Sequence, residues 1–268
     1  MRLRPDLYLV GGGHAGFDLS APLDCHVYLL DGGDELALVD AGLGLDGGAD
    51  DILANVEADG LDPRRISRLL LTHYHADHAG AAAEFAARLG LAVHGSPPTA
   101  AAISTADEEA ISLPLAKRAG FYPESFQLRP CPVRGDLVDG ARVDLGHLTL
   151  TVVETPGHCR GHVSFLLTGP QGSAFLGGDL VCHGGRVLMQ NTHDCNIQDY
   201  AASVFKVEPL RFDALLPGHG SISLRDGSRH VAQAAAAFRR LGLPENALWS
   251  VERGAWEREC VSAWSVGT

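Results

Sequence analysis

The length, composition and charge of the chain limit the kinds of protein it can be. Its 268 residues suffice for one large domain or two small ones with a buried core. Hydrophobic residues make up 46% of the chain and charged residues 20%, which is typical of a globular protein. The formal net charge of -12 and the pI of about 5.4 repel phosphate backbones, so we expect no nucleic-acid partner.

The N-terminal segment has neither targeting nor membrane-spanning character. Its apolar run from Leu7 to Val10 is too short for the core of a signal peptide. No stretch of the chain approaches the roughly 20 apolar residues of a membrane helix. The six cysteines are scattered without a C-x-x-C pair, which favours free thiols in a reducing compartment. We therefore expect a cytoplasmic protein without a membrane partner.

Short apolar runs alternate with alanine-rich helical stretches along the chain. Residues 28–40, YLLDGGDELALVD, predict two antiparallel strands around a Gly-Gly turn. We predict strands at residues 6–10, 26–30, 35–39, 68–71, 92–94, 148–153, 164–167, 174–176 and 214–216. We predict helices at residues 49–59, 79–89, 106–119, 199–207 and 228–241.

The predicted elements fall into two halves of similar kind, each with strands first and a βα pattern after. This pattern predicts an α+β fold with two β-sheets face to face and helices outside, rather than one doubly wound sheet. Because the sequence has no linker and no repeat, we expect residues 1–268 to form a single domain. Residues 99–134 mix a helix with several prolines, and we interpret them as an inserted lid or interface segment.

A dense group of potential metal ligands follows the predicted strand at 68–71. The sequence LLLTHYHADHAG contains His73, His75, Asp77 and His78 within six residues. Alternation along an extended stretch directs His73 and His75 to the same side, and Asp77 and His78 lie at the turn into the next helix. Three imidazoles and a carboxylate form a ligand set that suits zinc or iron.

Three further candidate ligands lie in similar settings, each just after an apolar strand. His158 occurs in VVETPGHCRGH, Asp179 in AFLGGDL and His219 in ALLPGHG. A strand followed by glycine and a polar side chain is a common way for a rigid scaffold to build a site on one rim.

In this order, the motifs H-x-H-x-D-H, T-P-G-H, G-G-D and P-G-H-G resemble those of the metallo-β-lactamase superfamily, over roughly residues 7–220. The resemblance implies an αββα four-layer sandwich of two mixed sheets and a site for two divalent ions, zinc first, with iron or manganese as alternatives. It implies that His73, His75 and His158 bind one ion, that Asp77, His78 and His219 bind the other, and that Asp179 bridges both. Asp40 in LALVDAG resembles the aspartate that supports the site without binding metal.

The chemistry that this resemblance implies follows from the ions. Two metals lower the pKa of a shared water, so that a bridging hydroxide is available at neutral pH, and polarise the substrate carbonyl or phosphoryl oxygen. Asp77 is also a candidate catalytic residue that orients the hydroxide and passes its proton to the leaving group. We therefore expect a hydrolase of a small ester, lactone or thioester, with a small molecule as its partner.

The resemblance leaves the substrate open. Hydroxyacylglutathione hydrolases usually carry a substantial helical C-terminal region, whereas about 50 residues follow His219 here (268 minus 219), which favours a lactone or ester slightly. Persulfide dioxygenases are similar in the H-x-H-x-D-H motif but use a single iron without hydrolysis. The same scaffold also occurs in β-lactamases, in phosphodiesterases or nucleases, and in non-enzymatic binding proteins.

Several residues outside the seven are candidates for supporting roles. His162, in T-P-G-H-x-x-G-H, is a candidate to support the metal ligands from behind. His183, His193 and Tyr200 follow Asp179 in a segment that often lines the pocket in this superfamily, so they are candidates for substrate contact. In the inserted segment, Phe121 and Tyr122 either cover the site or pack in a homodimer interface. The G-x-G-x-x-G match at residues 11–16 lacks a following helix pattern, which argues against nucleotide binding.

Overall fold

Two mixed β-sheets carry the site, and the structure, a computed structural model, describes residues 1–247. The first sheet consists, in spatial order, of β1 (Arg2–Arg4), β2 (Leu7–Gly11), β3 (Val27–Asp31), β4 (Leu36–Val39), β5 (Ile66–Leu70), β6 (Ala92–His94) and β7 (Val133–Arg134). The second consists of β8 (Arg142–Leu145), β9 (Leu148–Glu154), β10 (Val163–Gly169), β11 (Gly172–Gly178) and β12 (Ala214–Pro217), also side by side in chain order.

Both sheets combine antiparallel and parallel pairs. Strands β1 to β4 pair antiparallel, including the predicted hairpin in which Tyr28 lies opposite Val39, and β4 to β7 pair parallel. Strands β8 to β11 pair antiparallel and β12 joins β11 in parallel. All nine predicted strands are present, and the predicted α+β class is confirmed.

Seven helices lie in the described chain: α1 (Gly48–Ala58), α2 (Ala76–Ala79), α3 (Ala82–Leu89), α4 (Pro97–Thr105), α5 (Leu113–Arg118), α6 (Ile197–Val207) and α7 (Ser228–Arg239). None of the helices in residues 1–247 has the length and apolar character that a bilayer crossing requires. Five cysteines are free, and Cys260 lies outside the described residues.

Side-chain alternation along the strands separates three apolar layers. Leu30 of β3 and Phe165 of β10 belong to one buried cluster between the two sheets. Leu29, one residue earlier, belongs to a second cluster with Ile52 of α1. On the far face of the second sheet, Phe175 of β11 packs with residues of α6 and α7. Helix, sheet, sheet and helix therefore form the four layers of the predicted αββα sandwich.

The structure differs from the sequence predictions at three helices and three short strands. Helix α4 was not predicted. The predicted helix at 106–119 is present only as α5, from Leu113 to Arg118, because Ala106 adopts a left-handed conformation that ends α4 and the next helix starts only at Leu113. The predicted helix at 79–89 begins earlier and is interrupted after α2, where the Ala81 amide donates to the Gly42 carbonyl instead of continuing the helix. Strands β1, β7 and β8, of two to four residues each, were not predicted.

Candidate metal centre

The seven predicted ligands meet at one rim of the sandwich because several strands end there. In the first sheet, β4 and β5 run parallel, and the loop after β5 carries the H-x-H-x-D-H motif. In the second sheet, β9, β11 and β12 share one direction, since β10 is antiparallel to both β9 and β11. The loops after these three strands carry His158, Asp179 and His219. The carboxyl ends of the strands thus place ligands distant in sequence within contact distance.

One group of imidazoles consists of His73, His75 and His158, all buried. His75 Nδ1 lies 2.8 Å from His158 Nε2, and the His73 ring centroid lies 4.8 Å from that of His75 and 4.9 Å from that of His158. Burial holds the pKa of His73 well below its ordinary value and lowers the pKa of His158 to about 4. Both rings are therefore neutral at pH 7, the form in which histidine binds metal.

A second group consists of Asp77, His78 and His219. His219 Nε2 lies 3.1 Å from Asp77 Oδ2 and 3.3 Å from His78 Nε2. Burial opposes protonation of His78, but the carboxylates of Asp179, Asp77 and Asp40 help to raise its pKa well above the ordinary value. The shift reflects an excess of negative charge around this ring, which a bound cation would neutralise.

Asp179 lies between the two groups. Its carboxylate oxygens lie 3.4 Å from His78 Nε2 in one group and 3.4 Å from His158 Nε2 in the other. Burial alone would raise the pKa of Asp179, but the imidazoles of His219, His78 and His158 hold it well below the ordinary value. Seven buried side-chain polar atoms of the described residues have no hydrogen-bond partner, and two of them, His73 Nε2 and Asp179 Oδ1, belong to this site. A buried polar atom without a partner lowers the stability of the fold. Both of these atoms can donate an electron pair to a cation, so they fit a metal-binding site.

Hydrogen bonds from behind fix the orientation of several of these side chains. Asp40 accepts from His78 Nδ1 at 2.9 Å and from the amide of Thr72 at 2.8 Å. His162 Nε2 accepts from the Asp179 amide at 3.0 Å, and His158 Nδ1 donates to the Leu188 carbonyl at 2.6 Å. Each bond leaves the opposite ring nitrogen or the carboxylate free to face the centre of the site. Asp40 and His162 therefore have the positions expected of supporting residues.

Two hydrogen-bonding contacts at the site were not predicted from the sequence. One is made by Asp194 and the other by the hydroxyl of Tyr122. Asp194 is buried and accepts from His75 Nε2 at 3.2 Å, from the Tyr74 hydroxyl at 3.0 Å and from Ser112 Oγ at 3.0 Å. The Tyr122 hydroxyl donates to Asp77 Oδ1 at 2.6 Å. Nothing in the local sequence of Asp194 indicates this contact, which spans 119 residues.

His183, His193 and Tyr200, which were predicted to contact substrate, do not line the cavity over the site. Tyr200 is fully buried, and its hydroxyl accepts from the Leu188 amide at 3.1 Å and lies 2.7 Å from the Leu180 carbonyl. The His183 ring packs on His230, with centroids 4.4 Å apart, and His193 Nδ1 contacts Ser112 Oγ at 3.0 Å. Tyr200 thus supports the backbone beneath the site.

A cavity of about 610 Å³ opens above the two groups and reaches His75, Asp77, Asp179 and His219. One wall comes from the glycine-rich loop after β2, residues 14–17, where no helix follows the strand. Phe121 and Tyr122 of the inserted segment form another part of the wall. The cavity size lies within the range of small-molecule sites.

The four-layer sandwich and the cluster of imidazoles and carboxylates at one rim place the chain among αββα proteins with a metal site at that rim. The chain belongs to the metallo-beta-lactamase superfamily, whose family model matches residues 21–219. Membership implies divalent metal ions at the histidine and aspartate clusters.

Curated relatives include several thioester hydrolases by name. The chain is 29% identical to acyl-coenzyme A thioesterase MBLAC2 of Gallus gallus, over 72% of each chain. It is 28% identical to the atrochrysone carboxyl ACP thioesterase of Aspergillus fumigatus, over 82% of this chain and 58% of that protein. It is 33% identical to the hydroxyacylglutathione hydrolase of Cereibacter sphaeroides, over 68% of this chain and 55% of that one. The chain thus spans little more than half the length of the latter two, and 51% of the lactamase-like protein aptB of Emericella nidulans.

Solved structures confirm the fold. A metallo-beta-lactamase of Cronobacter sakazakii with a HARLDQ motif superposes with a TM-score of 0.68 at 24% identity, covering 90% of this chain and 96% of that one. The subclass B3 enzyme BJP-1 of Bradyrhizobium japonicum also gives 0.68, at 21% identity, covering 90% and 91%. At these identities the likeness concerns the fold alone.

Proposed function

We propose that this chain is a metal-dependent hydrolase of thioesters and related small esters that works with two divalent ions. The observation that carries the proposal is the convergence of the donor side chains around two unpaired buried atoms, His73 Nε2 and Asp179 Oδ1. In this assignment His73, His75 and His158 would hold one ion, Asp77, His78 and His219 would hold the other, and Asp179 would contribute to both.

Zinc is the ion that we propose first, because imidazole nitrogens and carboxylate oxygens are its common ligands outside thiolate sites. Iron and manganese accept the same donors and stay alternatives. The nearby thiols are poor competitors for the metal, since burial raises the pKa of Cys25 well above its ordinary value and that of Cys182 to about 12. Thiolate is the form that binds metal.

Bound divalent ions supply Lewis-acid polarisation of the scissile carbonyl and lower the pKa of a water molecule. The protein orients the side chains that contact the water molecule and the metal ions. Asp77 is held on both sides, by Tyr122 at 2.6 Å on Oδ1 and by His219 at 3.1 Å on Oδ2. We assign Asp77 the task of orienting the attacking water and carrying a proton to the leaving group. Asp194 fixes the ring of His75 so that Nδ1 faces the site.

Among the possible substrates we place thioesters first, because several curated relatives are named for the hydrolysis of thioesters. Two of these relatives are named thioesterases, and the third is named for hydrolysis of hydroxyacylglutathione, which is also a thioester. We therefore place thioesters before the lactone or ester that we first expected. A cytoplasmic location, a homodimer and a lid role for residues 99–134 stay predictions.

The test is hydrolysis of a substrate panel by zinc-loaded protein. Acyl thioesters, lactones, phosphodiesters and nitrocefin are compared, with and without a chelator. We expect thioesters to give the highest kcat/KM, loss of activity on chelation, and recovery on adding zinc. His73→Ala abolishes turnover in this account, and the exposed His147→Ala is the matched control that leaves it unchanged. Activity that survives complete metal removal, or cleavage of phosphodiesters alone, contradicts the proposal.

A further inference from the structure

A second cavity, of about 300 Å³, adjoins the cavity over the metal centre. Four side chains, His75, Phe121, Tyr122 and Gln190, line both cavities. The boundary therefore includes one proposed metal ligand and the tyrosine that contacts Asp77. A group that enters the second cavity remains connected to the reacting centre.

The walls of the two cavities differ in charge, although both include apolar side chains. The first has the charged side chains of Asp24, Asp77 and Arg186 beside apolar ones such as Phe17. One wall of the second is formed by the segment from Ile111 to Ala119, whose lining side chains there are mostly aliphatic. Its opposite wall is the uncharged polar segment 190–192. No Asp, Glu, Lys or Arg side chain of the described residues lines this second cavity.

Small side chains on α5 and just after it create the space. Ala116 and Ala119 both line the cavity and are three residues apart, so they lie on one side of the helical turn. Leu115 lies at the rim and is 40% exposed, although it is a large apolar residue. An apolar ligand that covers Leu115 and fills the space beside the two alanines gains hydrophobic stabilisation.

We propose that this second cavity, the α5 pocket, binds the apolar acyl chain of the substrate, while the thiol or alcohol part lies in the first cavity. The substrate class is then an acyl thioester or ester with an extended aliphatic chain, rather than a polar hydroxyacyl or a β-lactam compound. The inference rests on the proposed function, because it takes the carbonyl to lie beside His75 and Asp77.

We take the α5 pocket to be about as long as the helix that forms its wall, α5. Its six residues rise about 9 Å, which accommodates an extended chain of roughly six to eight carbons. Shorter chains leave part of the pocket unfilled. Longer chains extend past the rim at Leu115 into solvent and gain nothing further.

The experiment is a series of N-acetylcysteamine thioesters from acetyl to dodecanoyl, with thiol release measured on zinc-loaded protein. We expect kcat/KM to rise about threefold to fourfold per methylene, equivalent to about 0.8 kcal/mol each. The rise ends near eight carbons. Calorimetric titration with octanoate and acetate measures the same preference without turnover.

Ala116→Phe fills the pocket, and Ala101→Phe is the matched control on the exposed side of α4. We expect Ala116→Phe to reduce the octanoyl-to-acetyl ratio of kcat/KM at least tenfold and to weaken octanoate binding. The control keeps the wild-type ratio. Circular dichroism establishes that both variants are folded.

Failure of the pocket and failure of the proposed function give different results. Hydrolysis of all thioesters with no dependence on chain length, or a length dependence that Ala116→Phe leaves intact, overturns the α5 pocket alone. Absence of metal-dependent hydrolysis across the series overturns the proposed function. In that case octanoate binding that is lost in Ala116→Phe still supports an acyl-binding pocket, and equal binding of acetate and octanoate overturns it.

Discussion

The contact between Asp194 and His75 gives the sharpest prediction about metal affinity. Asp194 is buried and accepts three hydrogen bonds, from His75 Nε2 at 3.2 Å and from the hydroxyls of Tyr74 and Ser112 at 3.0 Å each. Burial alone would raise the pKa of Asp194, but His75 lowers it below its ordinary value, so the carboxylate is ionised. It therefore fixes His75 with Nδ1 facing the other ligands.

Asp194→Asn removes the charge but keeps the shape. A hydrogen bond to a charged group contributes about 1.5–3 kcal/mol and a neutral one about 1 kcal/mol, so the loss is on the order of 1–2 kcal/mol. We therefore expect zinc affinity at one site to fall about tenfold. Asp194→Ala leaves two buried hydroxyls without their acceptor, and we expect it to lower the free energy of unfolding by about 2 kcal/mol or more.

The assay is a competition titration of metal-free protein with a chromophoric zinc chelator. The matched control is Asp136→Asn, which alters another aspartate–histidine pair, with His94 Nδ1 at 2.9 Å, where the aspartate is exposed. The control keeps wild-type zinc affinity in this account. Wild-type affinity and turnover in Asp194→Asn would refute the reasoning, because they would show that His75 needs no partner.

Three further substitutions test other parts of the site. Asp77→Asn is expected to lower kcat at least a hundredfold in protein reloaded with zinc, and unchanged turnover on the best thioester would exclude its assigned role. Tyr122→Phe removes the hydrogen bond to Asp77 and is expected to lower kcat/KM about tenfold without loss of metal; steady-state kinetics and elemental analysis on one preparation check both. Gly218→Ala places a Cβ 2.3 Å from Asp179 Oδ1, so zinc content should fall, whereas Gly177→Ala meets its nearest atoms at 3.6 Å and should retain it.

Local features of the sequence predicted the strands and the candidate ligands, and the resemblance of their motifs to the metallo-β-lactamase superfamily predicted the sandwich and the grouping of the ligands. The strands before His73, Asp179 and His219 are short apolar runs, and each ligand comes just after its strand. In the structure the strand ends that share a direction meet at one rim, which explains why these motifs come together.

Contacts between distant segments were not predictable in the same way. Asp194 reaches His75 across 119 residues and Tyr122 reaches Asp77 across 45, and no pattern in either segment records those separations. The prediction that Tyr200 contacts substrate depends only on its place after Asp179 in the sequence. Its position on α6 turns it inward, where backbone groups of residues 180 and 188 satisfy its hydroxyl.

The metal content of the purified protein tests the central claim most directly. The protein is prepared without chelators and without a metal-binding affinity tag, and metals per chain are measured by elemental analysis. The account predicts about two divalent ions per chain, zinc first, because two groups of donors share Asp179. About one iron per chain, with oxygen consumed in the presence of glutathione persulfide, would contradict it.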